Sequence, residues 1–251
     1  MIQNRTIVGT MLVSQSVDIL DYSLPNLLKW CDWMLIVMDN QTSEVEEKVY
    51  KYQRENYNKI FVRRSSIPNK LFSRKGKLLS YHERWKSAKE VIRNDVFVNL
   101  RCILDWKKEG YDKIDILLWP DHDIIFTDSL PKLLEEFIDS NKRAISMKHV
   151  DVFGDLKTIA VSNMGHHVHV VKYSRELAGL PRRFFALYHP LSESDLLKVD
   201  NYTVNLAYLT DENRKWRRKN WKTDNVDGSK FIKIDRDIRE LRPNEIYAKL
   251  S

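Results

Sequence analysis

Four short apolar runs, each separated from the next by a stretch of helical spacing, constrain this chain more than any other feature. The runs are Ile7 to Ser14, Asp32 to Asp39, Lys59 to Arg64 and Asp115 to Trp119. They are too short for core helices and rich in Ile, Leu, Val and Met, which suits strands covered on both faces. Between the first two, Asp18 to Trp30 sets Leu20, Leu24, Leu27 and Leu28 on one helical face, and Pro25 inside it predicts a kink or restart. Ser43 to Asn56 is charged with helical spacing. A longer helical pattern carries Trp85, Ala88, Ile92, Val96, Leu100 and Ile103, with Gly110 as its stop signal. Ser129 to Ser140 reads as a helix that tolerates Pro131 in its first turn. Strands alternating with helices in this way predict an α/β fold, a mostly parallel sheet flanked by helices.

The second half is less regular. Ala144 to Met147, Thr158 to Val161 and Val168 to Val171 read as strands and Glu212 to Trp221 as a helix, so a mixed C-terminal part is expected. No repeat and no Ser/Gly or Pro linker divides the chain. We therefore read one domain, in which residues 1–140 bind a ligand at the strand ends and 141–251 add an acceptor side and a C-terminal extension. The longest purely apolar run, Trp33 to Met38, falls far short of the roughly 20 residues of a membrane span. Cys31 and Cys102 are the only cysteines among 251 residues, which argues against a disulfide framework or zinc ribbon and for a cytoplasmic, reducing setting. With 42 Lys plus Arg against 35 Asp plus Glu, the formal charge of +7 permits an anionic substrate or a nucleic acid without selecting either.

Ligands of open parallel sheets bind beyond the carboxyl ends of the strands. Ser14-Gln15-Ser16, Asp39-Asn40-Gln41-Thr42 and Asp121-His122-Asp123 follow three of the predicted strands. In an extended segment Asp121 and Asp123 would share a side, and two carboxylates so placed repel unless a cation lies between them. Mg²⁺ or Mn²⁺ would suit, since hard cations take oxygen ligands and bridge to phosphate. The competing reading is a turn, with Asp121 capping local N–H groups after Pro120.

The segments MLVSQSV, DILDYSLPNLLKW, CDW and MLIVMDNQTSE, followed by ILLWPDHDIIF, resemble the GT-A glycosyltransferases, specifically their family 2-like group, over roughly residues 7 to 140. The sequence departs from that pattern in Ser14-Gln15-Ser16, where the family often has Asn-Glu-Glu, and in Asn40-Gln41-Thr42. The resemblance implies a GT-A-like (Rossmann-like) fold and a metal-dependent transfer of sugar from a nucleotide-sugar donor to an acceptor hydroxyl. It implies that Asp39 contacts the base or ribose, with Ser14 beside it in the donor pocket. Asp123 would hold the metal at the diphosphate, and Asp121 would touch the ribose or the metal and its water. Arg101 would approach the donor from the long helix.

An inverting transfer needs a carboxylate to take the acceptor proton. Glu193 and Asp195, in Ser192-Glu193-Ser194-Asp195, are the candidates, against a plain N-cap reading of the same residues. His166, His167 and His169 cluster, and His167 and His169 would share a strand face. The resemblance makes His167 a candidate further metal ligand, whereas a structural reading has these rings satisfying local carbonyls. Two basic segments remain, Arg63 to Lys77 and Arg214 to Lys222, the second interleaved with Trp216 and Trp221. Such groups either close over a diphosphate or track a phosphate backbone, the bland alternative being a solvated helix face. The leading expectation is thus a nucleotide-sugar-dependent glycosyltransferase, acting on modified bases in DNA or on a glycan or small acceptor. The alternatives are a nucleic-acid-binding protein in which Asp121 to Asp123 is only a turn, and a two-metal nuclease or phosphotransferase.

Overall fold

The first apolar run forms β1 (Ile7–Val13), buried along its whole length. The computed structural model describes residues 5–14, 17–39, 42–65, 76–80, 83, 100, 114–160, 166–173, 191–221 and 231–250. After β1 the chain enters α1 (Leu20–Trp30), which buries Leu20, Ser23, Leu24 and Leu27 against the sheet. Pro25 lies within this helix without ending it, because its ring sits on the exposed side. The return strand β2 (Trp33–Met38) pairs in parallel with β1, from Val8 opposite Trp33 to Val13 opposite Met38. The approach of α1 to β1 is close at Gly9, where a Cβ would lie 2.9 Å from the Leu27 Cγ and 3.0 Å from the Cys31 Sγ.

Thr42 caps α2 (Ser43–Glu55) by accepting from the Val45 N–H, and Glu44 and Glu46 in its first turn favour the positive end of the helix dipole. β3 (Ile60–Arg64) then adds in parallel outside β2. Of the long helix expected around residues 85–103, only Leu100 is among the described residues; it is helical and fully buried. β4 (Ile116–Leu118) returns to the other side of β1, giving the parallel order 3-2-1-4. β5 (Ile124–Phe126) follows a tight turn, and α3 (Leu130–Asp139) buries Leu130, Leu133, Leu134 and Phe137, spaced as one helical face.

The remaining strands are β6 (Ala144–Phe153), β7 (Thr158–Ala160), β8 (His166–Lys172), β9 (Leu196–Tyr208) and β10 (Phe231–Lys233). Among the described residues ten strands form one sheet, ordered β10-β7-β6-β8-β4-β1-β2-β3 along its main path, with β9 pairing β6 and β5. Antiparallel pairing begins at β8, which lies between β4 and β6. The sheet is therefore parallel where the sequence alternates strand and helix and mixed beyond it, the expected α/β class. The unanticipated piece is β9, which runs parallel to β6 along the edge that β8 and β7 leave open. Its tail-side partners α4 (Asp211–Trp221) and α5 (Pro243–Leu250) complete the chain. Tyr202 ties the tail down, its hydroxyl lying 2.8 Å from the carbonyls of both Ile238 and Leu241. Among the described residues no helix is long and apolar enough to cross a membrane.

Candidate functional site at the carboxyl edge

At the carboxyl end of β1 lies Ser14 and at that of β2 lies Asp39, whose N–H bonds to the Val13 carbonyl; both residues are buried. A cavity of about 200 Å³ opens among the segments that follow these strands, lined by Val17, Asp18, Thr42 and Glu44 and by Glu212, Asn213 and Trp216 from α4. Over the described residues of the basic segment, Lys215, Arg218 and Lys219 form an exposed face while Trp216 is turned into the cavity. The start of its helix is tied to the end of β9, with Asn213 donating to the Ala207 carbonyl at 2.8 Å and Arg214 to that of Tyr208 at 2.7 Å.

Asp121 to Asp123 is a turn, not an extended segment. The Ile124 N–H bonds to the Asp121 carbonyl at 3.0 Å, closing a four-residue reversal between β4 and β5. Asp121 itself bridges Leu12 of β1, and Asp123 is held from below by its carbonyl accepting the Leu206 N–H at 2.7 Å. The turn nonetheless lies at the same edge of the sheet as Ser14 and Asp39, since Asp121 is level with Leu12 of β1. Two strand spacings and two residues of rise separate the backbones of Asp121 and Asp39 by about 12 Å, comparable with the length of a nucleoside diphosphate. Asp123 pairs with Arg217 of α4 at 3.3 Å, both side chains being mostly covered.

Beside this turn stands a stack of three imidazoles. A register shift in β8 leaves His169 without a partner on β6, and this bulge turns its ring toward the turn. Its Nδ1 bonds to the Trp119 carbonyl at 3.1 Å, so its Nε2 is the acceptor for the His149 Nε2–H at 2.6 Å. The His149 ring lies 3.9 Å from that of His167 and 4.9 Å from that of His169, with its plane nearly parallel to both. Burial, with the neighbouring imidazoles His169 and His167, drives the pKa of His149 down to about 2. Burial also lowers His169, opposed by Asp121, and lowers His167, opposed by Asp121 and Asp151. All three rings are neutral near pH 7.

Among the described residues no group of three or more His, Cys, Asp or Glu side chains is arranged to hold an ion, the expected set of Asp121, Asp123 and His167 included. The His167 ring is stacked on that of His149.

Glu193 and Asp195 lie at the wrong end of the sheet for a proton acceptor. They form a single 3-10 turn in which Ser192 and Asp195 cap each other, and the Ser192 donors hold the Asp195 carboxyl below its ordinary value. Glu193 is ion-paired with Lys198. Leu196 pairs with Ala144 at the start of β6, level with the amino ends of the parallel strands. From there to Leu206, which bonds to Asp123, is about 30 Å of extended chain. The N-cap reading is the structural one. Arg101 lies outside the described residues.

Sequence reasoning missed His149, Asp151 and the partnership of Arg217 with Asp123. Asn205 donates to Asp151 at 2.7 Å on the row of β6, β9 and β5 that ends at Ile124. Nothing local marks these residues, since they come from strands far apart in the chain.

No family model matches the chain, and no curated protein does. Among solved structures, 4-diphosphocytidyl-2C-methyl-D-erythritol synthase from Anaerococcus prevotii DSM 20548 superposes with a TM-score of 0.46 and 11% identity, over 88% of this chain and 98% of that one. A structure described as a glucose-1-phosphate thymidylyltransferase from Bacillus anthracis, in complex with a sucrose, gives 0.43 and 10%, over 94% and 100%. At these scores the likenesses support no inference about activity.

Proposed function

We propose that the chain is a nucleotide-sugar-dependent glycosyltransferase whose donor lies along the carboxyl edge from Asp39 to Asp123. The observation that carries this reading is the seating of α4, which covers the cavity beyond β1 and β2 with Trp216 and reaches Asp123 with Arg217. Residues 1–140 supply the donor side and residues 141–251 the acceptor side. The base and ribose occupy the space over Ser14 and Asp39, with Trp216 as a flat wall. Asp121 and Asp123 face the diphosphate and would hold Mn²⁺ or Mg²⁺ with its oxygens. Bound there, the cation supplies positive charge to the departing diphosphate. Arg217 lies against the same group and swings from Asp123 to a phosphate oxygen as the donor binds, a bidentate exchange that suits guanidinium. The anomeric carbon then loses its bond to the diphosphate oxygen, whose electron pair leaves with the nucleoside diphosphate, and gains one to the acceptor hydroxyl, whose proton passes to the departing diphosphate.

The test is thermal unfolding against nucleoside diphosphates and nucleotide sugars, with and without Mn²⁺. A ligand at about 100 times its Kd adds roughly 2.7 kcal/mol, or about 5 to 10 °C for a domain of this size. One nucleotide should give that shift only with Mn²⁺, and Asp123→Asn should abolish it. Absence of any shift refutes the donor site. Release of pyrophosphate in place of nucleoside diphosphate would make the reaction nucleotidyl transfer.

A further inference from the structure

We infer that a single-stranded nucleic acid docks along an aromatic and basic strip that leads from the outer edge of the sheet to Asp123. The strip starts on β10, the outermost strand at its end of the sheet, where Phe231 and Lys233 alternate onto one face and are both exposed. The Phe231 ring is 48% exposed and packs at 4.7 Å and 47° against Phe153 of β6. The Arg214 guanidinium lies over Phe153 at 4.4 Å. Phe153 is paired in register with Tyr208, over which Arg217 lies at 5.2 Å, and Arg217 ends on Asp123. One turn beyond Arg214 on α4, Arg218 continues the line, and Lys215 and Lys219 are exposed beside it. Arg214 is ion-paired with Asp211 and Arg217 with Asp123, so the exposed positive charge of the strip is carried by Lys215, Lys219 and Lys233.

Cations that track a backbone, alternating with aromatic rings that stack bases, are the recognition chemistry of single strands. A half-exposed ring such as Phe231 offers its face to an unstacked base, which a duplex does not present. Docking itself stands apart from the donor site; that the strand is the sugar acceptor rests on the glycosyltransferase reading.

The experiment is fluorescence anisotropy of the full chain with a fluorescein-labelled oligothymidylate across a salt series. Phe231→Ala should weaken binding roughly 5- to 150-fold, the range that loss of one base–aromatic stack spans, and Phe231→Trp should restore it. Lys215→Gln with Lys219→Gln should flatten the slope of log K against log salt by about 0.7 per lost phosphate contact. Absence of binding at low salt overturns the inference, as does an unchanged affinity in Phe231→Ala. Tighter binding to a duplex of equal length, or to vesicles of anionic lipid, also overturns it. Both variants leave the nucleotide-dependent thermal shift intact, so failure of the donor site and failure of this surface are read separately.

Discussion

Acid should unfold this protein through its histidine stack, and the size of the effect follows from burial. An unfolded imidazole titrates near 6.5, whereas His149 is driven to about 2 in the fold. The folded value is depressed, so the unfolded chain binds the proton more readily. Stability is complete above pH 6.5 and is lost as pH falls toward the folded value. At pH 5 an unfolded imidazole is almost fully charged, and 1.5 pH units below 6.5 correspond to about 2 kcal/mol per protected ring. That figure holds for any folded value below about 4, so it does not depend on the depth of the shift. His169, buried and lowered in the same direction, adds to the loss. Carboxylates held low in the fold, Asp237 and Glu245 among them, weaken the protein in the same direction as pH falls, so the isolating comparison is with His149→Gln. The amide keeps a donor for the His169 Nε2 and removes one titrating ring. Urea unfolding at pH 7.5 and pH 5 should show the wild type losing about 2 kcal/mol more than the variant. Equal losses would mean that His149 is accessible to protons in the fold, and would refute the reasoning.

Two further substitutions test the packing that carries the site. Gly9→Ala puts a methyl 2.9 Å from Leu27 and 3.0 Å from Cys31, an overpacking cost of about 1 to 3 kcal/mol; an unchanged thermal midpoint would show that α1 can yield. Asn26→Ala removes the amide that stands in for a strand partner, donating to the Phe126 carbonyl at 2.9 Å and accepting its N–H at 2.8 Å. Leaving both groups unpaired should cost about 2 kcal/mol or more by urea titration, and a loss below half of that would show that water replaces the side chain.

The fold of the N-terminal half was legible because its pattern is local. The runs that become β1, β2 and β4 are apolar on both faces, the run of β3 is apolar only at its start, and α1, α2 and α3 carry their buried residues at helical spacing. The site was legible only in part. Ser14, Asp39, Asp121 and Asp123 follow strand ends, a rule of chain order, and they do gather at one edge. Glu193 and Asp195 looked equally suitable by composition and lie at the opposite edge, since a capping box and a proton acceptor use the same residue types.

The sequence by itself determined the strand–helix alternation, the parallel order it favours and the edge at which polar strand ends collect. Periodicity and connection length act along the chain and need no partner. Only the tertiary structure decided that Asp121 to Asp123 turns, that β9 runs beside β6, that His149 stacks on His167 and bonds to His169, and that α4 brings Arg217 to Asp123. Each of those depends on which strand edge remains open once the others have paired, and on burial that no single segment carries in its own residues.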